Sequence, residues 1–143
     1  MKKTIDDLVK DIEKVQSSYK HSSEKEIYKI FYTKGLLRHN GLVIVYKNYK
    51  NNRISFETST QWSCTYLDLR ADVCEEDLKC DVAYRICEQM TNYSEYDFEG
   101  KSSEIAENFS IEELFELDMA LSECVLISDY ERIADILNGD VTF

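Results

Sequence analysis

The sequence predicts an α+β fold: N-terminal helices, a small antiparallel sheet of about three strands, and a C-terminal acidic helical part. Apolar residues recur at helical spacing near the start and through the second half. A β-branched, partly alternating stretch separates those two regions. Carboxylates then crowd the end of the chain. With 143 residues, 43% hydrophobic and 31% charged, there is enough apolar material for one core. The expectation is a single compact domain over residues 1–143. It has a basic helical and hairpin part over 1–60 and an acidic part over 61–143.

The first helix is expected from Thr4 to about Tyr19, where Ile5, Leu8, Val9, Ile12 and Val15 line one face. A second, shorter helix follows from a capping box at Ser23 and Glu26, with Ile27, Ile30, Phe31 and Leu37 as its stripe and Gly35 or Gly41 at its end. Leu42 to Tyr46 is a β-branched strand, Asn48 to Asn52 a polar turn, and Arg53 to Thr58 an alternating partner strand. Cys64 to Leu69 forms the third strand, with Trp62 as a core anchor before it. Glu75 to Met90 repeats Leu78, Val82, Ile86 and Met90 at four-residue steps, the signature of a helix. Ser110-Ile111-Glu112-Glu113 is a capping box that opens a helix to about Ile127. Ser128-Asp129-Tyr130-Glu131 is another box, and Gly139 closes the last helix.

The 28 acidic side chains outnumber the 17 basic ones, for a net charge of −11. That charge repels phosphate and argues against direct nucleic-acid binding. The excess is uneven. Residues 1–60 carry 12 basic and 7 acidic side chains, net +5, and residues 61–143 carry 5 and 21, net −16. The longest apolar run, Gly41 to Tyr46, is too short to cross a bilayer. Met1-Lys2-Lys3 leads into Asp6 and Asp7 without the apolar stretch of a secretion signal, so the expected location is cytoplasmic.

The five cysteines (Cys64, Cys74, Cys80, Cys87 and Cys124) are odd in number and contain no Cys-x-x-Cys pair. They read as reduced, small apolar residues, with Cys80 and Cys87 on one helix face. His21 and His39 lie far from them in sequence, so neither a metal site nor a cofactor is expected. No phosphate loop, nucleophile elbow or His-Glu-x-x-His helix occurs. A Cys64/His39 nucleophile pair needs tertiary contacts that no motif signals. The chain is read as non-enzymatic.

Between Glu95 and Glu123 there are ten carboxylates and one base, Lys101. Glu112, Glu116 and Glu123 are expected on one helix face, with Glu113 alongside. Carboxylates four apart are separated by about 6 Å of rise. Alternate phosphates on a DNA strand are about 7 Å apart along the axis. Like charges packed this way repel each other unless a cationic partner relieves them.

From Trp62 onward the chain resembles a unit of the ArdA-type antirestriction proteins. The resemblance is carried by Thr65-Tyr66-Leu67-Asp68-Leu69, then Glu75-Glu76-Asp77-Leu78, Asp97-Phe98-Glu99-Gly100, Glu107 to Leu114, and Ile133 to Asp140. Phe98 stands where the family has a tyrosine, and Lys101 where an aromatic is common. The resemblance implies a mimic of bent B-form DNA that occupies the DNA groove of type I restriction–modification enzymes.

Together these readings predict a non-enzymatic inhibitor of a host nucleic-acid-dependent defence enzyme, of restriction–modification or CRISPR type. Glu95, Asp97, Glu99, Glu104, Glu107, Glu112, Glu113 and Glu116 would pair with Lys and Arg of a DNA-binding channel. The partner is a basic DNA-binding protein or nuclease, with no membrane involved and with room for a homodimer. The alternative is an immunity protein that neutralises a basic nuclease toxin. A small enzyme using a buried Cys or carboxylate is a third reading, which a low-pKa thiol would mark.

Overall fold

The computed structural model describes residue 10 and residues 25–34, 36, 42–58, 64–93, 98–123 and 126–142. Apart from Lys10, the expected first helix lies outside them, as do Trp62, Leu37 of the expected second stripe and its expected end at Gly35 or Gly41. The chain divides into two compact units, Met1–Asp72 and Val73–Phe143.

The first unit is built on four antiparallel strands in sequential order: β1 (Lys25–Tyr32), β2 (Leu42–Asn48), β3 (Arg53–Thr58) and β4 (Cys64–Arg70). Because β4 is bonded to β3, the division falls at 72/73 rather than at the 60/61 boundary suggested by charge. On β2, Val43, Ile44, Val45 and Tyr46 are all buried. Successive strand residues face opposite sides. A strand covered on both faces therefore reads as a continuous apolar run rather than an alternation.

The helix expected at 23–37 is instead strand β1. Five of its eight residues are isoleucine, tyrosine or phenylalanine, which suit a pleated surface better than a helix. A bulge also disturbs its alternation. Ile27 pairs with Tyr46, but Lys29 pairs with Val45 and Ile30 with Ile44, leaving Tyr28 as an extra residue. The bulge places Ile27 and Ile30 on one sheet face, three residues apart, and that spacing imitates a helical stripe.

The β2–β3 hairpin turns through Tyr49 to Asn52, with Asn52 in the left-handed region at φ 54. Asparagine tolerates that conformation, and here its side chain has a second task. Asn52 Oδ1 accepts from the Ala71 N–H at 3.2 Å, just past the end of β4. Beside it, Arg70 makes a two-pronged, exposed ion pair with Asp72, at 3.1 and 2.8 Å.

The second unit is helical: α1 (Glu75–Tyr93), α2 (Ser102–Asn108), α3 (Ile111–Glu123) and α4 (Ile127–Leu137). α1 packs against each of the other three. Its expected stripe of Leu78, Val82, Ile86 and Met90 is buried throughout. Phe98 is buried as well, in a turn where the Lys101 N–H donates to the Phe98 carbonyl and Gly100 takes φ 79. That is the positive φ a type II turn demands at its third position.

The Ser110 capping box forms reciprocally. The Ser110 N–H donates to Glu113 Oε1 at 2.9 Å, and the Glu113 N–H donates to Ser110 Oγ at 3.2 Å. Gly139 also closes the last helix as expected, at φ 80. Its N–H bonds the Ile136 carbonyl and the Asp140 N–H bonds the Asp135 carbonyl, the two bonds of a Schellman end. Ser128 does not cap. Leu126 does, in extended backbone and without a side-chain bond, so Ser128 lies inside the first turn of α4. α3 stops at Glu123 rather than about Ile127.

Candidate functional site

The acidic excess belongs to the helical unit. Val73–Phe143 carries nineteen acidic and four basic side chains, net −15, and Met1–Asp72 carries nine and thirteen, net +4.

The structure describes six of the eight expected contact residues and sorts them into exposed, half-buried and buried. Glu99, in the turn before α2, and Glu104 and Glu107 on α2 are exposed. Glu112 and Glu113 are half-buried in the first turn of α3, where the positive end of the helix dipole favours carboxylates and Glu113 serves the cap. Glu95 and Asp97 lie outside the described residues.

Glu116 does not belong to an exposed acidic face, because it is only 2% exposed. Every residue from Leu114 to Leu121 is buried, so α3 has no solvent face along that stretch. A ladder of carboxylates at phosphate-like intervals along α3 therefore does not form. The expected face treated α3 as amphipathic, whereas a helix buried all round takes its polar residues inside with it.

One of those residues makes an ion pair the sequence reading missed. Asp118, 0% exposed, accepts from Arg85 Nε of α1 at 3.2 Å through Oδ1. Its Oδ2 is buried without a hydrogen bond. Burial pushes its carboxyl up to about 6, and the attraction of Arg85 only partly opposes this. A signal was present in Leu117-Asp118-Met119, a charge set in an apolar run.

Bases are scarce in this unit, four against nineteen acids. None of the four helices carries a base in its last turn, so the negative dipole ends add to the carboxylates. Of the four bases, Arg85 is committed to Asp118, and the Lys101 ammonium lies 5.5 Å from the Phe98 ring centre.

Cys80 and Cys87 do not share an environment. Cys80 is exposed and Cys87 buried, because seven residues advance a helix by about 10 Å, past a different set of neighbours. Burial pushes the Cys87 thiol up to about 11, which makes it a poor nucleophile at neutral pH. His39 and the Cys64 side chain lie outside the described residues. Among the described residues no group of three or more His, Cys, Asp or Glu is placed to hold a metal ion, and no helix is long and apolar enough to cross a membrane. Comparison with known proteins found no match among family models, curated proteins or solved structures.

Proposed function

We propose that this protein is a non-enzymatic inhibitor that occupies the DNA-binding channel of a host nucleic-acid-dependent defence enzyme, in the manner of a DNA mimic. The observation that supports this is the segregation of charge by fold. A compact helical unit of 71 residues holds a net −15. A field of that sign attracts the Lys- and Arg-lined channels that bind phosphate, and it speeds encounter with them. The contact surface is drawn from Glu99, Glu104 and Glu107, with Glu112 and Glu113 at its margin. Glu116 is left out of it. The mimicry rests on the density of exposed charge rather than on a regular ladder.

The test is competition with DNA for a purified type I restriction–modification enzyme. The full chain should displace DNA, and added salt should weaken the displacement. Replacing Glu99, Glu104 and Glu107 together by glutamine should reduce the affinity on the order of tenfold. A folded triple variant that competes undiminished would refute the electrostatic mechanism. Displacement from a basic nuclease toxin but not from the restriction enzyme would replace this reading with that of an immunity protein.

A further inference from the structure

The helical unit contains an open cleft of about 380 Å³ between α1 and the turn that precedes α2. Tyr84, Cys87 and Glu88 line it from α1, at positions i, i+3 and i+4 of one face. Phe98, Glu99 and Gly100 line it from the turn. Tyr84 is 64% exposed, a large aromatic standing in solvent on an acidic surface. Glu88 and Glu99 are exposed too. The buried Phe98 and Cys87 give the cleft an apolar part, and Thr91, Asn92 and Ser102 complete its lining.

This combination selects one class of side chain. The apolar part accepts an aliphatic stem, the carboxylates accept a cationic head, and an open aromatic face takes a planar cation by stacking. Guanidinium meets all three conditions, because it is planar, weakly hydrated and able to bridge two carboxylates. The protein already shows a cation beside this apolar part, with the Lys101 ammonium over the Phe98 ring.

We infer that the cleft bounded by Tyr84, Glu88, Phe98 and Glu99 is a receptacle for an arginine side chain of the partner protein. The inference rests on the reading of residues 73–143 as the acidic ligand of a basic protein. It adds a shaped anchor to what would otherwise be a diffuse field. Anchors of this kind carry a disproportionate share of binding energy at interfaces.

The experiment is a nuclear magnetic resonance titration of the full chain with N-acetyl-arginine amide, paralleled by its neutral isostere, N-acetyl-citrulline amide. Saturable shifts confined to Tyr84, Glu88 and the Glu99–Gly100 turn are expected with arginine, and none with citrulline. Glu88→Gln and Tyr84→Ala should each weaken that binding about two- to fivefold. Glu131→Gln, which removes an exposed carboxylate of α4 outside the cleft, should leave it unchanged.

Equal binding of citrulline, or shifts spread over the carboxylates of the unit without saturation, would overturn the inference. So would an unchanged affinity in both cleft variants. The two readings fail separately. Cleft-confined arginine binding by a chain that displaces no DNA sustains the receptacle and removes the inhibitor. Displacement of DNA without cleft binding does the reverse.

Discussion

Each unit contains an Arg–Asp pair, and the two behave in opposite ways. In the sheet unit, Arg70 and Asp72 meet in solvent, and the hydrogen bond from Arg70 holds the Asp72 carboxyl below its ordinary value. In the helical unit, Arg85 meets Asp118 inside the core, and the same kind of partner fails to hold the carboxyl down. Water makes the difference. Around Asp72 it still solvates the charge, and the hydrogen bond from Arg70 outweighs the small loss of hydration. Around Asp118 it is gone, and the lost hydration outweighs one hydrogen bond. Formal charge is thus a poor guide to surface charge, and the −15 of the helical unit includes carboxylates that never meet solvent.

Breaking the two pairs is the strongest test of that contrast. Arg85→Met should destabilise the protein by about 3–5 kcal/mol at neutral pH, because it strands a buried carboxylate. Arg70→Met should leave the urea midpoint unchanged within error, as an exposed pair contributes little. Comparable losses in both variants would mean that burial does not decide the worth of these pairs.

The next largest effect depends on pH. The Asp118 carboxyl is raised from 3.8 to about 6 in the folded state, so the folded protein holds this proton more tightly than the unfolded chain does. Its contribution to stability is therefore full below about pH 4 and is lost as pH rises through about 6. The loss amounts to at most roughly 3 kcal/mol. Asp118→Asn should remove this slope, measured as the difference between the two denaturation profiles across that window. Parallel profiles would show that Asp118 does not titrate there.

The smallest effects compare how the units make their turns. Gly139→Ala should cost about 1–2 kcal/mol, since only the left-handed backbone is at stake. In the sheet unit, Asn52→Gly relieves the same kind of backbone strain yet should still destabilise, by about 1 kcal/mol. It deprives the buried Ala71 N–H of its acceptor. A stabilising Asn52→Gly would show that the side-chain bond has no net value.

Much of the architecture could be read locally. β3 and α1 begin where propensity and spacing place them, and the ends at Ser110 and Gly139 follow from hydrogen-bonding chemistry contained within a few residues. β1 resembles a helix in the sequence because its bulge gives Ile27 and Ile30 a helical interval, and only the pairing with β2 reveals the extra residue. The break between α3 and α4 is expected at about Ile127, but α3 ends at Glu123 and α4 begins at Ile127, because no glycine or proline marks the boundary between Ser110 and Leu137.

The candidate site divides in the same way. The polarity of the chain, its sign and its concentration in the second half are sums over residues and need no coordinates. Tertiary structure alone decides which carboxylates are charged and presented. Glu104 and Glu116 are identical in the sequence, but one stands on α2 in water and the other is enclosed within α3. Sequence therefore determined the helical and strand chemistry and the total charge, which are local or additive. Folding determined burial, and with it the Arg85–Asp118 pair and the Tyr84 cleft, because both depend on residues brought together from separate helices or from a helix and a distant turn.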